Sequence, residues 1–256
     1  MNINSKQKTY TILTYLFGNY DCIHRPDEFD SNCEYVIVTD NPNLNVNFAN
    51  VILFNKFQSS LDLLHYVRCH PFEFCKTNIC FLMDANLHMR LPLTPFYEKL
   101  KNHDILLCPY FYMLDTMRKL LDFLKKAKKI DPYNERLIGE IISNENIDID
   151  SYGGVTYKLI GLKKSETTDK LLADIYALHA KYKNLWFDEL LLNRVLSYID
   201  FKSPYFVFND IFYSEFFYLF RHNTNELIYP GHNVIYNNIP KYPVFYKNKQ
   251  YIIENI

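Results

Sequence analysis

Short runs of β-branched and apolar residues alternate with polar or helix-spaced intervals through the first half of the chain. That pattern predicts a mostly parallel sheet flanked by helices. Tyr10 to Leu16 (YTILTYL), Glu34 to Thr39 (EYVIVT) and Val51 to Phe54 read as strands, the second stopped at Asp40-Asn41-Pro42, where proline cannot continue a ladder. Gln58 to Cys69 carries Leu61, Leu64 and Val67 at helical spacing, with Ser59 or Ser60 able to cap it. Asn78 to Met83 is apolar on both faces, as a central parallel strand must be, and it runs into Asp84-Ala85-Asn86. Asp104 to Cys108 reads as a fifth strand, and Tyr112 to Lys129 as an amphipathic helix closed by Asp131-Pro132. Beyond Asn144, Val155 to Leu162 reads as a strand, and Glu166 to Tyr182 and Phe187 to Tyr198 as helices. An aromatic, Asn-rich segment follows. Without a repeat or a low-complexity linker, the expectation is one α/β domain over residues 1–256.

Composition narrows the classes. With 28 Lys+Arg against 29 Asp+Glu, the chain lacks the basic surplus needed to grip a nucleic-acid backbone. Six Gly and 22% charged residues do not fit a disordered chain. The six cysteines form no CxxC pair and the N-terminus has no signal-peptide profile, so reduced thiols in a cytoplasmic protein are expected. No stretch approaches the ~20 apolar residues of a membrane span. The unusual quantity is aromatic: 22 Tyr and 20 Phe, rings that suit a core, a sugar or base platform, or a membrane interface.

The strongest local feature is Phe81-Leu82-Met83-Asp84-Ala85-Asn86. A hydrophobic strand delivers two oxygen-bearing side chains, one residue apart, at its carboxyl end, where open α/β sheets bind ligands. Both could reach one hard cation. The structural alternative is an Asx-turn that merely closes the strand. P-loop, dinucleotide-fingerprint and nucleophile-elbow motifs are all missing, so NTPase, oxidoreductase and α/β-hydrolase readings have no support.

Four segments in order give the chain a resemblance. Tyr10 to Asp21 is similar to an opening "YTxxxGxYD" strand and turn, and Tyr35 to Asn41 to a strand ending in "TD". Phe81 to Asn86 takes the place of a "DxD" motif. Gly153-Gly154-Val155, followed by Trp186 to Asn193 (WFDELLLN), looks like an "N-x-G" strand and a "DQ-x-x-LN" helix. Together they resemble the GT-A-fold, nucleotide-sugar-dependent glycosyltransferases, in particular small bacterial domains related to a family long of unknown function. The resemblance implies a GT-A-like, Rossmann-like sheet with a helical and aromatic C-terminal elaboration. Residues 1–144 would form the nucleotide-binding half and 145–256 the acceptor-side half. It further implies sugar transfer from a nucleotide diphosphate donor, a uridine one by preference, to a surface-glycan acceptor such as capsule or lipopolysaccharide.

Roles follow residue by residue from that resemblance. Asp84, Asn86 and the distant His232 would hold manganese or magnesium, although Asn86 stands where the family has a second Asp. Thr14, Tyr15, Tyr20, Asp40, Arg68 and Gly154 would meet the nucleotide sugar. Asp188 and Glu189 would contact sugar hydroxyls or act as general base. Each has a plainer alternative: a loop histidine for His232, a turn-initiating Asp40, a core Tyr15, a helix-surface Arg68, and helix capping for Asp188 and Glu189. A non-enzymatic glycan-binding or protein-interaction domain remains the second reading. Peripheral membrane contact through Lys125 to Lys129 or Tyr205 to Phe220 is a further option.

Overall fold

The computed structural model describes residues 7–18, 20–109, 116–150, 155–199, 205–206, 216–220, 227–229, 244–246 and 249–251. Strands β1 (Tyr10–Leu16), β2 (Cys33–Thr39) and β3 (Asn50–Leu53) are followed by helix α1 (Ser60–Cys69) and the central strand β4 (Ile79–Asp84). Next come β5 (Leu87–Met89), α2 (Thr94–Leu100), β6 (Ile105–Pro109), α3 (Met117–Lys126) and α4 (Pro132–Asn144). Then follow β7 (Val155–Lys163), α5 (Glu166–Lys181), α6 (Glu189–Leu196), β8 (Tyr205–Phe206), β9 (Phe217–Phe220) and β10 (Leu227–Tyr229).

The main sheet has the order β3-β2-β1-β4-β7-β6-β8, and only β7 runs against the other strands. The mostly parallel α/β sheet read from the sequence is therefore present. Alternation along β1 divides the interior. Leu13 and Tyr15 enter a core shared with Leu63 and Val67 of α1, Leu171 and Ile175 of α5 and Val195 of α6. Tyr10 and Ile12 enter the opposite core, with Phe96 and Leu100 of α2 and Phe217 of β9. Helices thus cover both faces, which is why the central strands carry no polar face. At Gly161 a Cβ would stand 2.9 Å from side-chain carbons of both Leu100 and Phe81, so glycine lets α2 close onto the sheet.

The helix starts follow capping rules. Ser59, rather than Ser60, accepts from the Asp62 amide at the head of α1. Asp131-Pro132, read from sequence as a stop, opens a helix instead. The Asp131 side chain accepts from the Asn134 amide, and Pro132 occupies the first turn, where a missing N–H costs nothing. The C-terminal aromatic stretch contributes to the core where it is described: β8 extends the main sheet beside β6, and Phe217 on β9 is fully buried. All six cysteines are unpaired, and Cys33, Cys69, Cys80 and Cys108 are buried. Among the described residues no helix is long and apolar enough to cross a membrane.

Candidate active site

Strands β1 and β4 lie side by side with Tyr15 opposite Asp84 in register. The chain runs outward from β1 to β2 and β3 on one side and returns to β4 on the other. That reversal is the switch point at which open α/β sheets form a crevice beyond their carboxyl ends. A cavity of about 490 Å³ opens there, and its wall includes Tyr15, Tyr20, Arg68, Asp84, Asp188 and Glu189, six of the residues singled out from sequence.

Arg68 joins them. From the last turn of α1 it is only 8% exposed, so it is no surface arginine. Its guanidinium donates through Nε to the Tyr15 hydroxyl at 2.9 Å, pairs with Asp84 Oδ1 at 3.0 Å, and donates to the Asp188 carboxylate. It lies between the Tyr15 and Tyr157 rings, 5.0 and 4.5 Å from their centroids, a cation–π arrangement that stiffens it further. Tyr15 in turn donates to Asp84 Oδ1 at 2.7 Å. Asp188 stands at the N-cap of α6 but makes no side-chain cap bond, because its carboxylate is turned to Arg68.

Lys158 completes the cluster, and the sequence reading did not single it out. Its ammonium lies 2.7 Å from Asp84 Oδ2 and 2.9 Å from Asn86 Oδ1. It reaches them from an irregularity in β7, whose register against β6 jumps from Ile160 to Thr156 across the consecutive residues Leu107 and Cys108. Such bulges re-aim side chains beside active sites. A single lysine inside the apolar run Val155 to Leu162 was the available signal, since a charge in a buried strand needs a partner. Trp186, 37% exposed, and Tyr20, 57% exposed, are the exposed rings of the cavity lining.

The charges set the protonation states. Burial alone would raise the Asp84 carboxyl, but the Lys158 and Arg68 cations outweigh it and hold it well below the usual carboxylate range. Glu189 goes the other way: burial first, and the Asp188 charge second, push its carboxyl up to about 8. Glu189 favours the folded state fully below its unfolded pKa near 4.5, and that contribution is lost as pH rises toward about 8. We expect Glu189→Gln to flatten the decline in melting temperature between pH 5 and 9; an unchanged decline would remove Glu189 as its source.

Asp84 and Asn86 by themselves do not fit a cation site in this geometry. Both outward oxygens are given to Lys158, and Asp84 Oδ1 is taken by Arg68 and Tyr15. A second donor set lies behind the cavity. The buried rings of His65 and His179 stack at 3.6 Å, and their nitrogens and an Asp188 oxygen fall within 4.8 Å of one another. Burial lowers both histidines, to about 2 and about 4, so both are neutral. The Asp188 carboxylate, however, is committed to Arg68.

The remaining sequence candidates fall elsewhere. Thr14 points to the opposite face of β1 and lines a separate cavity of about 20 Å³. Asp40 accepts from the Gly18 amide at 3.1 and 3.0 Å through its two oxygens, fixing a turn with a positive φ of 66° whose Gly18 lines the main cavity. Gly154 and His232 lie outside the described residues.

No protein-family model matches the chain, and no curated protein does. Among solved structures it is similar to the galactosyltransferase LgtC in complex with donor and acceptor sugar analogues, at 10% identity and a TM-score of 0.42, over 77% of this chain and 73% of that one. It is also similar to an active-site mutant of LgtC, at 11% identity and a TM-score of 0.42, over 77% and 72%. Similarity at this level assigns neither residues nor substrate.

Proposed function

We propose that the chain is a glycosyltransferase that moves a sugar from a nucleoside diphosphate donor to a hydroxyl of a glycan acceptor. The observation that carries this reading is the cluster of buried Arg68 and Asp188 with part-buried Lys158 and Asp84 in the wall of a cavity of about 490 Å³ that also presents Tyr20 and Trp186. Cations fixed by carboxylates suit a diphosphate, and flat exposed rings suit a base or a sugar. In the transfer, the acceptor oxygen bonds to the anomeric carbon as the bond from that carbon to the phosphate oxygen breaks. The electron pair leaves on the diphosphate, and the acceptor proton passes to a carboxylate. Glu189 is the group for that proton, because a carboxyl near pKa 8 is basic enough to take it once ionised. Asp188 positions Arg68. The donor is read as a uridine nucleotide and the acceptor as a surface glycan, with the chain in the cytoplasm. Lys125 at the end of α3 pairs with Glu135 at 2.8 Å, which lessens the charge that α3 offers to a membrane surface.

A thermal-shift screen of nucleotide sugars tests the proposal. At a hundredfold excess over Kd the right donor adds about 2.7 kcal/mol of stability, or roughly 5–11 °C for a domain of this size. If no nucleotide sugar shifts the transition while free glycans do, the exposed Tyr20 and Trp186 belong to a glycan-binding domain instead.

A further inference from the structure

We infer that Lys158 is the resident cation of the diphosphate subsite: its ammonium holds the place between Asp84 and Asn86 that a divalent ion would take, and with Arg68 it meets the charge on the departing diphosphate. The inference rests on the glycosyl-transfer reading for the identity of the ligand, and on side-chain geometry for the cation.

Asp84 Oδ2 and Asn86 Oδ1 both accept from Lys158 Nζ, at 2.7 and 2.9 Å. The other Asp84 oxygen is shared by Arg68 and Tyr15, at 3.0 and 2.7 Å. A divalent ion here would have to expel the ammonium and strand it at 15% side-chain exposure without a counter-charge. The cations are not exhausted by their partners. An ammonium has three N–H groups and a guanidinium five; Lys158 uses two and Arg68 three in the bonds above, and both side chains line the cavity. The bulge in β7 turns Lys158 toward the end of β4, so a strand in the middle of the sheet delivers a charge to its rim. Asp84 and Asn86 then act as the seat of an organic cation, which explains why one carboxylate and one amide suffice.

The test combines Mn²⁺ titration followed by electron paramagnetic resonance with calorimetric binding of uridine diphosphate. We expect the wild type to leave Mn²⁺ free. Its uridine diphosphate affinity should agree within about twofold in EDTA and in Mn²⁺. Lys158→Met should weaken uridine diphosphate by about tenfold or more, the loss expected for a charge-assisted bond, and leave uridine within about twofold. Lys158→Arg, which keeps the charge, should recover most of the affinity, and with the wild-type EDTA comparison it decides the matter if Lys158→Met does not fold. One Mn²⁺ held per wild-type chain and lost in Asp84→Asn overturns the inference. So does diphosphate binding that needs Mn²⁺, an outcome that leaves the glycosyl-transfer reading standing. A wild type that binds no nucleoside diphosphate under either condition overturns both.

Discussion

Arg68→Ala is expected to cost about 3–5 kcal/mol of folding stability, the range for removing one partner of a buried ion pair. The reason is the hub geometry: the guanidinium is the counter-charge of Asp188, which is 2% exposed, and one of two for Asp84. Truncation leaves Asp188 desolvated and unpaired beside Glu189, and it empties the space between the Tyr15 and Tyr157 rings. For a domain of this size the loss corresponds to roughly 6–20 °C in melting temperature. Urea unfolding of wild type, Arg68→Ala and Arg68→Lys checks it. The lysine variant should fall between the other two, because one ammonium cannot reproduce the planar fork that serves Tyr15, Asp84 and Asp188 together. A loss below about 1 kcal/mol in the alanine variant would mean that the cluster is solvated rather than desolvated.

Asp84→Asn is expected to reduce turnover by about a hundredfold or more, the scale seen when one preorganised electrostatic group is lost. The amide keeps the shape and an oxygen for Tyr15 and Arg68, but it no longer balances the charge of Lys158, whose carboxylate partner Asp84 is, while Arg68 keeps Asp188. Asp84→Ala would leave the buried Arg68 and the part-buried Lys158 short of a counter-charge, at a cost of several kcal/mol. The asparagine variant is therefore the better probe of chemistry. Its stability deficit has a defined pH dependence. The Asp84 carboxyl is held low in the folded state, so its contribution is fully present above the unfolded value of about 3.9. It disappears as pH falls through the depressed folded value. The gap between wild type and Asp84→Asn should not narrow as pH falls from 8 to 5 and should close only in acid. A gap that narrows between pH 7 and 5 would contradict the ion pairs.

The legible elements share one property: each has a period long enough to count. The seven residues of β1, six of β4 and nine of β7 are mostly apolar, and α5 has sixteen residues of helical spacing. The three residues of β5 and the seven of α2, which opens with proline in its first turn, are too short to show one. Asp131-Pro132 was misread because proline ends one helix and begins another with equal ease, and the side chain that decides between them bonds three residues onward.

The sequence by itself determined that β1 and β4 would be buried strands and that a carboxylate would stand where β4 leaves the core, since both follow from local periodicity and from the placement of polar residues. It also marked Tyr15, Tyr20, Arg68, Asp188 and Glu189, five further side chains that line the cavity. Only the tertiary structure decided what those groups are to one another. Arg68 meets Asp188 across 120 residues, and Lys158 meets Asp84 across 74. Those pairings depend on strand order and on a bulge in β7, neither of which leaves a periodic trace in the sequence. The Asp84 and Asn86 oxygens looked the same from the sequence with or without a lysine beside them. In the fold an ammonium stands within hydrogen-bond distance of both.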